Sequence, residues 1–450
     1  PQYHIPNRTL SLIASHSYCR SYKPFNRRVA TQPRMDNPRK LPISMTMKFD
    51  TDITIVGGGL NGPILAIALE RAGITTTVID ALTTKVRKNA AFDGRSYAVA
   101  LTSQRLLKNI GLWDALSDDA QPMLEIKVTD GRAGEGPSPF FMHFDHVEIE
   151  DGPMGYLVQD RHLRRILLEA MAANPLIKHL EGQTVTNQVV EGAGVTVTLE
   201  RGKTLTSRSL IGCDGRGSGT ATRAGIKRIG WGYGQTALVC AIEHEKPHGG
   251  IAHQFFMPTG PLAILPLTGN RSSIVWSESE ANATAFNALN DEDYLTMLRP
   301  RFGNFLGEIS LTGTRYSYPL SLSMTEQLVT DRTALVGDAA HGLHPIAGQG
   351  LNAGMRDIAA LVQIITEAQN RGEDYGSLAV LKRYEEWRRF DNTALALATD
   401  TFNKLFSNNN PFLRLGRDLG MGLINKMPSL RRGFMREAAG LSGDLPDLMR

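Results

Sequence analysis

Gly57, Gly59 and Gly62 follow directly on the β-branched run Ile53-Thr54-Ile55-Val56, and this junction constrains the fold more than any other part of the chain. The run is short and apolar throughout, the pattern of a strand buried on both faces within a parallel sheet. After Gly57-Gly58-Gly59-Leu60-Asn61-Gly62 comes helical spacing over residues 64–72, closed by Gly73, then a second strand over 74–79 that ends at Asp80. Together these make a complete βαβ unit. In G-x-G-x-x-G the first glycine permits a tight turn, the second lets a pyrophosphate approach the backbone, and the third lets helix and strand pack closely. The helix start offers free N–H groups and partial positive charge to the phosphates, and Asp80 stands where a carboxylate accepts hydrogen bonds from an adenosine ribose. The unit predicts dinucleotide binding and leaves FAD and NAD both open; the competing reading is a glycine turn that serves packing alone.

The 450 residues exceed what one hydrophobic core usually serves, so two or three packed regions are expected. Hydrophobic residues at 42% and charged residues at 21% describe a globular enzyme and exclude a disordered or fibrous chain. No apolar run approaches the roughly 18–20 residues of a spanning helix. Cys19, Cys213 and Cys240 are too few and too scattered for a disulfide framework or a zinc site, which points to a reducing compartment, and the histidines form no metal set. Residues 1–44 carry eight Lys/Arg against the single acid Asp36, whereas the whole chain is only +4. The remainder is therefore slightly acidic and gives no reason to expect a nucleic-acid partner. This head segment, residues 1–47, reads as disordered: a mitochondrial transit segment, or an upstream stretch before a start at Met45 or Met47.

Two later segments bear on which dinucleotide is bound. Residues 209–213 form a short apolar strand before Asp214-Gly215-Arg216; residues 333–336 form another, leading to Gly337-Asp338-Ala339-Ala340-His341 and then His344-Pro345-Ile346-Ala347-Gly348-Gln349-Gly350-Leu351-Asn352. Each puts an Asp at the carboxyl end of a strand, where open α/β sheets place their ligands. A helix is expected from about Leu351 to Ala368, and its start would stabilise negative charge on a flavin ring laid against it. Taken singly, Asp338 also reads as a capping carboxylate and Asp214-Gly215 as a plain turn.

The three segments together resemble the fingerprints of the FAD-dependent aromatic hydroxylases with the p-hydroxybenzoate hydroxylase fold. Asp93-Gly94-Arg95-Ser96-Tyr97-Ala98, the stretch Gly260-Pro261-Leu262-Ala263-Ile264-Leu265-Pro266-Leu267 and the run 337–352 narrow the resemblance to the ubiquinone-biosynthesis hydroxylases, over residues 50–445. The resemblance implies an α/β fold: a Rossmann-like FAD-binding domain from residues 48–120, 151–230 and 329–399, an inserted mainly antiparallel β-sheet substrate domain from 121–150 and 231–328, and a helical C-terminal region over 400–450. It implies that Gly57, Gly59 and Gly62 cradle the FAD pyrophosphate, Asp80 the ribose, and that Arg95 reaches the phosphates or ribityl region. Asp214 and Gly215 would serve FAD and the NAD(P)H donor, Asp338 the ribityl chain, and Gly350, Leu351 and Asn352 would offer main-chain groups near the ring. Cys213 and His341 read as packing or capping residues.

The resemblance further implies reduction of FAD by NAD(P)H, addition of O2 to give a flavin C4a-hydroperoxide, and transfer of OH to an electron-rich ring, that of a polyprenylated phenol. No general base is identified. Alternatives are a hydroxylase of a small soluble aromatic acid and an idle flavin-binding scaffold of a multienzyme quinone-synthesis complex; a plain NAD dehydrogenase would leave the second and third segments unexplained. Strands are expected over 236–242, 252–256, 263–267, 272–276 and 310–318, with Phe255, Phe256, Pro266 and Leu267 as core or pocket lining. Residues 400–450 interleave apolar residues with eight Lys/Arg against five acids, which suits either an interfacial helix for peripheral membrane contact or a tail packed on the FAD domain. The expected location is the cytoplasmic face of the inner membrane for a bacterial protein, or the mitochondrial matrix side if residues 1–44 are a transit segment.

Overall fold

A computed structural model describes residues 48–134, 136–149, 151–407, 420 and 422–450; the head segment and its charge lie outside the described residues. The βαβ unit is present, with strands Ile53–Val56 and Thr76–Asp80 flanking the helix Asn61–Glu70, and every residue of both strands is buried. Burial on both faces is what a continuous β-branched run demands. The strands belong to a six-stranded sheet in the order Val329–Thr330, Thr333–Leu335, Ser209–Gly212, Ile53–Val56, Thr76–Asp80, Ile177–Glu181. All pairings are parallel except that of Val329–Thr330 with Thr333–Leu335. The three strands that precede the glycine and aspartate turns therefore lie side by side, although more than a hundred residues separate each from the next in sequence.

The second large sheet has eight strands, in the order His341–Gly342, Ile309–Thr325, Arg228–His244, Arg271–Ser279, Gly260–Leu267, Ile251–Met257, Glu125–Arg132, Gly136–Asp145. It is antiparallel save for the pairing of Ile251–Met257 with Glu125–Arg132. The expected strands fall inside its members, and two of these, Arg228–His244 and Ile309–Thr325, run for 17 residues each. Two helices, Glu280–Asn287 and Asp291–Phe302, interrupt a region expected to be all strand. Ser279 and Asn290 cap them, and Ala283, Tyr294 and Leu298 press them onto one face of the sheet around Trp276 and Ile264. The opposite face meets Leu101, Leu157, Phe406 and Met435 from the rest of the chain.

In the C-terminal region the helix Pro428–Ala438 packs on the body. Met435 and Ala439 are buried, Arg431 pairs with Glu148 at 2.8 Å, and Thr102 N donates to the Ala439 carbonyl. The helix is thus packed, though on Glu148 and the large sheet as well as on Thr102, while Leu423, Met427, Leu430 and Phe434 face outward.

Candidate functional site

Each glycine of the first turn is explained by its surroundings. Gly57 takes φ +116°, and a Cβ there would collide with the Cys213 carbonyl oxygen; a Cβ on Gly62 would collide with the Gly57 carbonyl. Gly58 backs onto the Asp80 carboxylate. At Gly59 a Cβ would meet nothing within 4 Å. Three positions serve packing, and the fourth leaves the backbone open to a ligand.

The three turns meet. Cys213 N donates to the Val56 carbonyl at 2.7 Å, and Val336 N to the Gly212 carbonyl at 2.9 Å. The Asn61 amide fills the space where Gly337, at φ +61°, and Gly354 lack side chains. Arg216 crosses from the second turn to the third, its Nε 3.3 Å from the Asp338 carboxylate and an Nη donating to the Leu343 carbonyl at 2.9 Å. Arg228 donates to the main-chain carbonyls of Ala339 and Asp338 at 2.5 and 3.1 Å.

A cleft of about 480 Å³ opens beside Gly59 and Leu60 and is lined on its far side by Asp93, Arg95, Thr314 and Tyr316. Three arginines stand around it. Arg87 holds Asp80 through two hydrogen bonds of 2.9 Å each; Arg95 pairs with Asp93 at 2.7 Å and Asp160 at 3.0 Å and lies 5.4 Å from the Tyr316 ring centre; Arg164 pairs with Asp160 at 2.7 Å. Burial alone would raise the Asp80 carboxyl, but the His179 ring 3.8 Å away and the hydrogen bonds from Arg87 and Leu82 N hold it well below its ordinary value. Burial would lower the Arg95 pKa, but the Asp93 hydrogen bond and the Asp160 charge raise it, so the guanidinium stays charged. Arg87, Arg164, Asp160 and Tyr316 were not singled out from the sequence. They carry no spacing signal, and only the fold brings them to the cleft.

The second turn is spent locally. Asp214 accepts from Ser218 Oγ at 2.5 Å and from Thr220 N and Oγ1 at 2.9 Å each, which makes it a cap for the short helix Gly219–Arg223, while Gly215 at φ +80° leaves open space. In the third turn the Asp338 side chain is 41% exposed. The helix Gln349–Asn370 starts at Gly348, in the left-handed region at φ +64°, with no acid in its first turn. Gly350 is open, as Gly59 is. Asn352 accepts from Ala100 N at 2.9 Å and donates to the Ala98 and Gly348 carbonyls at 2.8 and 3.0 Å, so its side chain pins the helix start to the strand Ser96–Ala100.

Behind the third turn lies a buried ion network. Asp357 accepts from Gly337 N at 3.1 Å, His341 Nε2 at 2.6 Å, Arg388 Nε at 2.9 Å and Asn392 Nδ2 at 3.2 Å. Burial would raise its carboxyl, but His341 and Arg388 bring it down to about 2. Burial pushes the Cys213 thiol well up, which leaves it unsuited to nucleophilic work.

A model of the family described as "FAD binding domain" matches residues 50–396. Ubiquinone hydroxylase UbiL of Rhodospirillum rubrum is 43% identical over 91% of this chain and 95% of its own length. The chain belongs to the FAD-dependent hydroxylases of ubiquinone biosynthesis. Another member, the mitochondrial ubiquinone biosynthesis monooxygenase COQ6 of Rattus norvegicus, is 30% identical over 86% of this chain and 90% of its own. The crystal structure of p-nitrophenol 4-monooxygenase PnpA from Pseudomonas putida superposes with a TM-score of 0.73 at 18% identity, covering 87% of this chain and 98% of that one, and shows the shared fold.

The hydroxylase's own residues fit FAD. The backbone is open at Gly59, Gly215 and Gly350, with packed glycines beside the first and the third of these, and arginines border the cleft where phosphates would lie. When bound, FAD accepts a hydride and in reduced form activates O2.

Proposed function

We propose that this hydroxylase oxidises the aromatic ring of a polyprenylated phenol in ubiquinone synthesis, with FAD, O2 and NAD(P)H. The observation that carries the reading is that three strand-end turns stand side by side and touch one another, while the first of them opens onto a cleft that Thr314 and Tyr316 of the eight-stranded sheet border. The main chain at Gly57, Gly59 and Gly62 holds the pyrophosphate, with Arg95 alongside. Asp80, charged and already oriented by Arg87, accepts from the adenosine ribose. Asp338 accepts from the ribityl hydroxyls, and the start of the Gln349–Asn370 helix presents N–H groups of Gly350 and Leu351 to the electron-rich edge of the ring, with Asn352 fixing that helix in place. Asp214 and Gly215 shape the wall beside the cofactor. The relatives UbiL and COQ6, named for ubiquinone hydroxylation and biosynthesis, support the substrate class.

A lipid-tailed substrate also gives a use to the outward apolar residues Leu423, Met427, Leu430 and Phe434 beside Lys426 and Arg432, which suit contact with a membrane surface. No described helix is long and apolar enough to cross a membrane. On this reading the protein works peripherally at a membrane, on the matrix side where residues 1–44 act as a transit segment, and within a quinone-synthesis assembly.

The test is hydroxylation itself. Purified yellow protein supplied with NAD(P)H, O2 and a short-chain prenylated phenol is expected to give product heavier by one oxygen atom, and Asp338→Ala is expected to lose it together with at least tenfold in FAD affinity. NAD(P)H oxidation without oxygenated product from any prenylated phenol, but with product from a small aromatic acid, would overturn the substrate assignment.

A further inference from the structure

One row of side chains crosses the inner face of the eight-stranded sheet. Strand register sets Tyr316 opposite Val239, Val239 opposite Val275, Val275 opposite Ala263 and Ala263 opposite Gln254. Tyr316 lines the dinucleotide cleft, so the row leads from that cleft across the sheet over roughly 19 Å, at about 4.8 Å per strand. Tyr316, Val239, Val275, Ala263 and Gln254 are all partly exposed. On the opposite face of the same strands Leu238, Ile264 and Trp276 are at most 1% exposed. Partial exposure in the middle of a covered sheet means a gap between the sheet and what lies over it. The cover touches at both ends: a Cβ on Gly94 would sit 3.4 Å from that of Ala241, and Phe406 stacks on Phe256 at 4.1 Å.

Gln254 is the amide in this row. Phe255 and Met257 belong to the Trp276 core and Ala252 and Phe256 to the inner one, so alternation turns Gln254 inward. Its Nε2 is buried and has no acceptor among the described residues. A buried donor left without a partner is costly unless a ligand supplies one. We propose that Gln254 donates from Nε2 to the phenolic oxygen of the substrate and positions the ring on the floor formed by Val239, Val275 and Ala263. The inference rests on the phenol-hydroxylase reading and deepens it by naming the group that recognises the hydroxyl.

The experiment titrates the holoenzyme, by flavin absorbance and fluorescence, with a short-chain prenylated phenol and with the same prenylated ring lacking the hydroxyl. Wild type is expected to bind the phenol about tenfold more tightly, the worth of one buried hydrogen bond. Gln254→Met, close in shape but with no donor, is expected to bind both alike, with FAD affinity and melting temperature unchanged. Gln254→Glu is expected to favour the ring without the hydroxyl and serves as a second variant should the first fail to fold. A tenfold preference retained in Gln254→Met overturns the inference and leaves the hydroxylase reading standing; equal binding of the two compounds by wild type also overturns the inference. Binding of neither by wild type defeats the substrate reading itself.

Discussion

A methyl group placed on Gly59 meets open space, whereas one placed on Gly62 runs into the Gly57 carbonyl, and this contrast separates ligand binding from folding at single-residue resolution. Gly59→Ala is expected to fold with an unchanged melting temperature and to lose at least tenfold in FAD affinity by fluorescence titration. Gly62→Ala is expected to lose about 3 kcal/mol of stability before any cofactor is added, by chemical denaturation, because helix and strand must move apart. Asp357 makes a different claim. It anchors Gly337 N, His341 and Arg388 in a site with no exposure, so Asp357→Ala leaves a buried guanidinium without its main partner and is expected to cost about 3–5 kcal/mol. Its carboxyl sits at about 2 in the folded protein, below the ordinary value of 3.8, so the folded state binds this proton more weakly than the unfolded one. The stabilisation is therefore present in full above about pH 4 and is lost as the pH falls toward 2, a difference of roughly 2 kcal/mol. Acid denaturation of wild type against Asp357→Asn measures it: the variant should show a shallower loss over that window.

Among elements, legibility followed burial. The strands ahead of the three turns were readable because each is a short run buried on both faces, and the long helix after Gly348 because its apolar positions recur at helical spacing. The helices Glu280–Asn287 and Asp291–Phe302 were missed because each buries only a narrow apolar stripe. Their signal was instead the cap followed by acids, Ser279 before Glu280 and Asn290 before Asp291, Glu292 and Asp293. The three-stranded sheet built from Val185–Glu191, Gly194–Leu199 and Thr204–Ser207 was also passed over, although Val195, Val197 and Leu199 alternate cleanly into a small core shared with Val56, Ile79 and Leu210 of the parallel sheet. Arg87 and Arg164 were beyond reach, since a lone arginine on a helix reads as surface until the fold turns it toward a cleft. The C-terminal helix packs on the body through Met435 and leaves Leu430 and Phe434 outside, so packing accounts for one side of it alone. Replacing Leu423, Met427, Leu430 and Phe434 together by Ser should leave the melting temperature nearly unchanged, since none is buried, and should cut co-sedimentation with anionic liposomes severalfold. Co-sedimentation equal to wild type would remove this helix from any membrane role.

At the scale of the whole molecule, the parallel sheet does what no local segment can: it sets turns from three distant stretches of chain side by side, at the carboxyl ends of adjacent strands. The contacts among them are close and largely polar: Gly57 against the Cys213 carbonyl, Asn61 against Gly337, and Arg216 to Asp338 and the Leu343 carbonyl. Such turns open locally at lower free energy than the strands that carry them. A ligand that touches all three should close them as one unit, and at a hundredfold excess over its Kd should add about 2.7 kcal/mol to the folded state. Hydrogen–deuterium exchange read by mass spectrometry, with and without FAD, tests the arrangement directly. Added FAD is expected to slow exchange together in peptides covering residues 57–62, 214–217 and 337–352, and to leave peptides covering the helices 280–287 and 291–302 unchanged, because those helices pack on the far face of the large sheet. Protection confined to residues 57–62 would mean that the cofactor is held by the first turn alone, and the second and third turns would then need another explanation for standing beside it.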